Sequence, residues 1–241
     1  MLAAGEGTRL RPLTLDRPKA MVDIGGRPAI SYALEWLRRN GVGDVAINLF
    51  HRPEVLRDFV GDGSAFGIRV RYSVEAPRAL GTAGALAPLL DFFGREELFV
   101  VLYGDVLTDL DLAPVLVQHR QVKADATIVV NRVENRAESG MVEFDAARRI
   151  HRFVEKPGTG YAHSEWGNAG IYVCGRRVLD YVTRAVPLDF AYDVFPAMLA
   201  GNGTLGAFPT EALVVEFGSP QRLERASAAV GDGLLPAPRR L

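Results

Sequence analysis

Cysteine is nearly absent. Cys174 is the only one in 241 residues, so no disulfide can form within the chain. It follows an apolar run and reads as a small core residue. The four histidines, His51, His119, His151 and His163, form no pair with zinc-ligand spacing. None stands beside a serine or cysteine nucleophile. An excess of charge is lacking too: 28 basic residues face 29 acidic ones, a formal net charge of −1. That balance excludes a generally polyanion-binding surface, so no nucleic acid partner is expected and any phosphate site has to be local. No apolar run approaches the roughly 20 residues of a membrane-crossing helix. No basic segment precedes an apolar one at the start, so no secretory signal is expected. With a lone cysteine, these absences point to the reducing cytoplasm and to no membrane partner. There is no repeat and no Ser/Pro-rich linker. One continuous domain is expected over residues 1–230, followed by a Pro- and Arg-rich tail at 231–241 that frays.

Hydrophobic residues make up 48% and charged ones 24%, enough to bury a sizeable core. The opening run, Leu2-Ala3-Ala4-Gly5-Glu6-Gly7-Thr8-Arg9-Leu10-Arg11-Pro12-Leu13-Thr14, then Pro18-Lys19, reads as a short apolar strand, a glycine turn and a set of cations. Two glycines two apart let the backbone bend tightly and offer its N–H groups to a phosphate. Arg9 can grip phosphate oxygens in a fork, and Lys19 adds a point charge. The run is not a P-loop, because no GxxxxGK[ST] is present. Nor is it the dinucleotide fingerprint, because Leu10 stands where a third glycine belongs.

Strand and helix alternate through the first half. Residues 45–49 and 98–102 read as buried strands. Pro28 suits the first turn of a helix running through Ile30, Leu34 and Leu37 to Gly41. Thr82 is placed to cap a helix over 83–93, and Asp111 one that starts near Leu112. The alternation predicts a parallel sheet covered on both faces, with ligands beyond the carboxyl ends of its strands. After about residue 125 strands dominate, at 126–131, 141–144, 150–155 and 169–174, which predicts a mixed sheet. Helices return at 176–183, 191–200 and 220–229. The change of character divides the chain at about residue 125, into a part over about 1–124 and one over about 125–230.

Tyr103-Gly104-Asp105 ends the strand at 98–102 with a carboxylate at the sheet's carboxyl edge. Such a group suits magnesium, which takes hard oxygen ligands; a strand-end aspartate also serves to cap the next turn. Glu155-Lys156 can be a solvated ion pair, and Asn168-Ala169-Gly170 a plain turn. Asp193 can face a site or a helix surface.

Together these elements resemble the sugar-1-phosphate nucleotidyltransferases. The run G-x-G-T-R-L-x-P-L-T-x-x-x-P-K is similar to that family's signature almost letter for letter. Glu75 to Gly84 resembles its E-x-x-P-L-G-T-A-G element, Phe153-Val154-Glu155-Lys156-Pro157 its F-x-E-K-P, and Asn168-Ala169-Gly170-Ile171-Tyr172 its N-[AT]-G-[IM]-Y strand. The resemblance implies an α/β, Rossmann-like three-layer sandwich with a mainly parallel, mixed central sheet, its nucleotide-binding part over about 1–124 and its sugar-binding part over about 125–230. It places the nucleotide on Leu2, Ala3, Ala4, Gly5, Gly7, Thr8, Leu80, Gly81, Thr82 and Gly84. It places the sugar on Gly140, Glu155, Asn168 and Asp193, and magnesium on Asp105 and Glu216. Arg9, Lys19, Asp105 and Lys156 become the catalytic set. Two positions depart from the pattern: Glu216 stands where aspartate is usual, and Tyr103 where asparagine is frequent. Family members also carry a few more residues in the first strand, so the natural start is expected upstream.

The implied reaction joins a nucleoside triphosphate and a sugar 1-phosphate into a nucleotide sugar and pyrophosphate. The pattern is closest to the mannose-1-phosphate guanylyltransferase-like group, which favours GTP and a mannose- or heptose-type sugar. UTP or dTTP with glucose 1-phosphate is the alternative. A non-catalytic nucleotide-sugar-binding subunit is a further one, as is a cytidylyltransferase for an alcohol phosphate. The family allows a homodimer.

Overall fold

The computed structural model describes residues 1–94, 96–133, 135–160, 163–182 and 187–235. The expected helix end at Thr183 and most of the tail, 236–241, lie outside the described residues. By its contacts the chain divides into two units.

The first unit comprises Met1–Ala79, Tyr103–Asp111 and Ala212–Leu241. Its helix Ile30–Arg39 buries Ile30, Ala33, Leu34 and Leu37, the recurrence of an amphipathic helix. Trp36, on the same helix, donates its indole N–H to the Leu110 carbonyl at 2.7 Å. Strands Asp44–Leu49 and Arg69–Val74 pair in parallel, Asp44 opposite Arg69 and Leu49 opposite Val74. The strand expected at residues 2–4 reduces to single parallel bridges from Leu2 to Asn48 and to Tyr103. A side chain ends the ladder: the Ala3 N–H donates to Asn48 Oδ1 at 2.8 Å instead of to a neighbouring backbone carbonyl. Strand Val214–Glu216 runs antiparallel to Val106–Thr108, with Glu216 opposite Val106. Helix Pro220–Gly231 follows, capped by Ser219 with Pro220 in the first turn. Phe217 is fully buried among Ile24, Tyr32, Leu107 and Ala226, which anchors the segment that carries Glu216 and Gly218.

The second unit comprises Leu80–Leu102 and Leu112–Glu211. Its six-stranded sheet is organised around the ten-residue strand Trp166–Gly175. That strand pairs antiparallel with Leu98–Leu102, with Ala126–Arg132 and, at Gly167 and Met141, with Gly140–Phe144. Gly140–Phe144 and Ile150–Glu155 form an antiparallel pair with Gly140 opposite Glu155. Leu205–Pro209 lies parallel to Ala126–Arg132, so the sheet is mixed. Leu98–Leu102 departs from the parallel expectation, because the long strand offers it an antiparallel edge. Cys174 is buried, and burial pushes its thiol pKa well up, which fits an inert core residue. Helix Leu112–Val122 buries His119, whose Nδ1 lies 2.9 Å from Thr127 Oγ1.

Three helix expectations are corrected. The helix expected over 83–93 is a short turn of α-helix, Gly81–Gly84, and a 3-10 turn, Ala87–Leu89. Pro88 has no N–H for a continuing ladder, and the Ala83 and Gly84 N–H groups go to the Leu188 carbonyl at 2.9 and 3.0 Å. Thr82 is therefore not its cap. Residues 176–181 form a 3-10 helix, Arg176–Tyr181. The helix expected over 191–200 opens with a wide turn, Phe190–Val194, before Phe195–Ala200. The N–H groups of Asp193 and Val194 both reach the Asp189 carbonyl there, at 3.0 and 3.1 Å. Among the described residues no helix is long and apolar enough to cross a membrane.

Candidate active site

In the first unit the glycine-rich loop folds back on itself. Gly7 adopts φ +66°, a region L side chains rarely enter, and a Cβ there would lie 3.0 Å from both Lys19 Cβ and Thr14 Cγ2. Thr14 donates its hydroxyl to the Gly7 carbonyl at 2.8 Å. The Lys19 N–H reaches the Gly5 carbonyl at 3.3 Å, which closes the loop. Ala3 is buried, Leu2 and Ala4 are half-buried, and Gly5, Thr8 and Arg9 are exposed. Thr8 and Arg9 stand on the 3-10 turn Thr8–Leu10 that Gly7 opens.

Lys19 is buried, and its ammonium is the centre of an ionic chain. Nζ contacts Asp105 Oδ2, lies 3.4 Å from Glu216 Oε1, and stands 5.7 Å from the centre of the Phe217 ring. The other oxygen of Glu216, Oε2, contacts Arg222 Nη1. The Phe217 N–H donates to the Asp105 carbonyl at 3.1 Å, which ties the two carboxylate-bearing segments together. Gly218 marks where these groups converge. A Cβ there would overlap Glu216 Oε1 and stand 2.7 Å from Lys19 Nζ and 2.9 Å from Arg9 Nη2. The structure thus brings together Arg9, Lys19, Asp105 and Glu216, four residues singled out from the sequence. It adds Arg222, which no sequence pattern marked.

Two hard-oxygen carboxylates that share one ammonium suit magnesium, which binds through one or two carboxylates and completes its shell with substrate phosphates and water. Among the described residues no group of three or more Asp, Glu, His or Cys side chains forms a self-sufficient metal cage.

A second cluster lies in the other unit. A Cβ on Gly140 would overlap Glu155 Oε2 and stand 3.1 Å from Phe153 Cζ and 3.3 Å from Asn168 Cβ. The missing side chain leaves room for that carboxylate and amide. Asn168 Nδ2 donates to Tyr172 Oη at 2.8 Å, and its Oδ1 accepts from the Gly170 N–H at 3.0 Å. Tyr172 is fully buried and meets Phe195 edge-on, the ring centres 5.0 Å apart. Burial raises the Glu155 pKa above the ordinary value; Lys156 opposes the shift and Asp189 adds to it. Lys156 is mostly exposed, its Nζ 3.9 Å from Glu155 Oε1, and it adopts φ +45°, a strained conformation for a residue with a Cβ.

In the same unit, Gly81 takes φ +75° and lies so close to the Leu188 carbonyl that no Cβ fits. Leu80 and Gly84 flank this turn: the Leu80 carbonyl accepts from the Leu188 N–H at 3.0 Å. Thr82 donates to Asp189 Oδ2 at 2.8 Å and accepts from the Phe190 N–H at 2.9 Å. Asp193 is tied to the Asp189 N–H at 2.7 Å, so its carboxylate serves the turn.

Two supporting residues, Asn48 and Asp189, carry no motif in the sequence, and Glu75 enters there only as the first residue of the E-x-x-P-L-G-T-A-G element. Asn48 and Glu75 are buried and joined, Asn48 Nδ2 donating to Glu75 Oε1 at 2.8 Å. A polar residue inside the apolar run Val45-Ala46-Ile47-Asn48-Leu49 was the available signal. Asp189 carried no signal beyond its place ahead of a helix.

The family profile described as Nucleotidyl transferase matches residues 1–231. The chain belongs to this family. The resemblance to sugar-1-phosphate nucleotidyltransferases is thereby borne out. A UTP–glucose-1-phosphate uridylyltransferase of Synechocystis is 37% identical over 210 residues, 83% of this chain and 54% of that protein. A mannose-1-phosphate guanylyltransferase of Mycobacterium tuberculosis is 34% identical over 239 residues, 99% of this chain and 66% of that protein. The chain thus spans between half and two thirds of these curated relatives. A solved Bacillus anthracis structure, in complex with a sucrose, superposes with a TM-score of 0.85 at 26% identity, covering 96% of this chain and 94% of that one. The α/β, Rossmann-like fold with a mixed central sheet follows from this likeness.

Proposed function

We propose that the chain transfers a nucleotidyl group from a nucleoside triphosphate to a sugar 1-phosphate and releases pyrophosphate. The observation that carries this reading is the convergence of Arg9 and Lys19 with two carboxylates at Gly218. A sugar phosphate is ionised already and needs no general base. Its oxygen attacks the α-phosphorus in line, and the P–O bond to pyrophosphate breaks. The barrier lies in bringing two polyanions together and in the charge on the leaving group, so placed cations supply most of the catalysis. Arg9 grips the pyrophosphate portion, Lys19 the α-phosphate region, and Lys156 the incoming sugar phosphate. Glu155 and Asn168 take sugar hydroxyls, with Gly140 leaving them room. The backbone at 2–8 and the turn at 80–84 receive the nucleotide.

Magnesium is the metal this donor set suits, held by Asp105 and Glu216. When bound it neutralises phosphate charge. GTP with a mannose- or heptose-type sugar is the favoured pair, supported by a guanylyltransferase relative that aligns along 99% of the chain. UTP with glucose 1-phosphate is the second reading, supported by the 37% identical uridylyltransferase.

Pyrophosphate release with magnesium, across four nucleoside triphosphates and a panel of sugar 1-phosphates, tests the proposal. One strong pair supports it and names the product. No release with any pair, alongside nucleotide-sugar binding, replaces it with a non-catalytic binding role.

A further inference from the structure

Arg222 stands where a helix least favours a cation. It is the third residue of Pro220–Gly231, and the positive end of the helix dipole opposes a guanidinium there. The Ser219 hydroxyl fixes this turn, accepting from the Arg222 N–H at 3.4 Å. The compensating charge is Glu216, whose Oε2 contacts Arg222 Nη1. The other oxygen, Oε1, lies 3.4 Å from Lys19 Nζ, and the same ammonium holds Asp105 Oδ2. Both oxygens of Glu216 are thus engaged by cations. A divalent ion has to displace an ammonium to reach this pair of carboxylates, in a partly buried setting where salt screens little.

We propose that Arg222 is a positioning residue. By holding one oxygen of Glu216 it leaves that carboxylate a single donor oxygen, on the side of Lys19 and Asp105. The ionic chain Arg222–Glu216–Lys19–Asp105 keeps the free protein closed to a divalent cation until a nucleotide's phosphates draw Lys19 away. Metal and nucleotide therefore enter together. This inference rests on the nucleotidyl-transfer reading. It also gives the longer Glu216 side chain a physical partner: Arg222 restrains the extra methylene that a glutamate brings to the position.

The test is Mn2+ binding to the full chain, followed by the electron paramagnetic resonance of the free ion. It is run without nucleotide and with the nucleoside triphosphate that releases pyrophosphate in the panel above, and the Mn2+ held by the same nucleotide without protein is measured and subtracted. The wild-type protein is expected to bind Mn2+ at least about tenfold tighter with the nucleotide, the scale on which partners of metal ligands act. Arg222→Gln moves the two affinities in opposite directions: about tenfold tighter without nucleotide and about tenfold weaker with it. Arg222→Lys, which keeps the charge, restores the closed free state. A merely structural arginine gives no such crossing. Equal protein affinity for Mn2+ with and without nucleotide in the wild type, once the nucleotide's own share is subtracted, overturns the inference, whatever the variants do. So does an Arg222→Gln protein whose two affinities stay put or move together. Absence of Mn2+ binding in both conditions overturns the metal reading of Asp105 and Glu216 itself, and the inference with it. Thermal unfolding of each variant establishes that it is folded.

Discussion

Gly140 and Glu155 face each other as cross-strand partners, and the Glu155 carboxylate occupies the space that a Cβ on Gly140 would fill. Gly140→Ala therefore has to push Glu155 aside. The expected result is a raised KM for the sugar 1-phosphate, with nucleotide binding unchanged. Overpacking of this kind costs about 1–3 kcal/mol of stability. Steady-state kinetics with each substrate varied, alongside calorimetric nucleotide binding, separates the two effects. A variant with wild-type KM for the sugar phosphate refutes the placement of the sugar at this carboxylate.

Lys19→Ala removes the one ammonium shared by Asp105 and Glu216. Turnover is expected to fall roughly 10²–10³-fold, the scale for losing one preorganised donor. The melting temperature falls as well, because two carboxylates then face each other without their common cation. Lys19→Arg keeps the charge but changes the shape, and recovers the melting temperature more than the turnover. Unchanged turnover in Lys19→Ala contradicts the assignment.

Glu155 gives a pH dependence whose sign is fixed. Burial raises its carboxyl pKa above the ordinary 4.5. A raised carboxyl contributes stability fully below the unfolded value and loses it as pH rises through the folded one. At neutral pH the ionised wild-type residue is therefore a cost that Glu155→Gln relieves. The variant is expected to melt higher than the wild type at neutral pH, with the difference closing below 4.5. The opposite holds for activity: KM for the sugar phosphate rises as pH falls through the raised value, and Glu155→Gln flattens that limb. Melting curves and KM measured across this range decide both.

Motifs that act through local backbone were legible in the sequence. The Gly5–Gly7 loop, the Gly104–Asp105 strand end and the helix at Ile30–Arg39 needed only glycine placement and a 3.6-residue period. Strand Ile150–Glu155 carried the boundaries that its pattern predicts. What was hidden depends on distant partners. The resemblance names Asp105 and Glu216 together, but no local pattern shows how they meet: through the pairing of Val214–Glu216 with Val106–Thr108 and the Phe217 N–H to the Asp105 carbonyl, contacts separated by about half the chain. Arg222 gains its meaning from that pairing. The helix expected over 83–93 failed because its N–H groups found the Leu188 carbonyl, which no local pattern announces.

Thr82 and Asp189 are joined across 107 residues of sequence by a 2.8 Å hydrogen bond. Asp189 also caps the wide turn at Phe190–Val194, accepting from the Ala191 N–H at 2.8 Å and the Tyr192 N–H at 3.2 Å. Asp189→Ala loses both functions, at about 0.5–2 kcal/mol for the cap alone. Asp189→Asn keeps the capping oxygen but replaces the oxygen that accepts from Thr82 with an NH2 donor, so it should retain the cap's share of the stability and lose the Thr82 link. Urea unfolding of the pair discriminates: equal losses in both variants would show that the second carboxylate oxygen, rather than the cap, is what the turn requires.

Asn48 ties the start of the chain to the floor of the first unit. Its Oδ1 accepts the Ala3 N–H, and its Nδ2 donates to the buried Glu75 carboxylate. Asn48→Ala strands a buried backbone donor and removes a donor from a buried carboxylate. The cost of such stranding is about 1–3 kcal/mol. Because Ala3 stands two residues before the Gly5 turn, the effect should reach function through nucleotide affinity, with KM for the sugar phosphate unaffected. Asn48→Asp makes the argument sharper. It preserves the acceptor for Ala3 but turns the donor toward Glu75 into a second carboxylate. Asn48→Asp should therefore keep the loop anchored yet lose stability, because two carboxylates then meet where an amide donated to one. Denaturant curves of both variants at neutral pH, beside nucleotide titrations, read out the two arms separately. Weakened nucleotide binding in Asn48→Asp as severe as in Asn48→Ala would mean that the Ala3 anchor is not what links Asn48 to the loop.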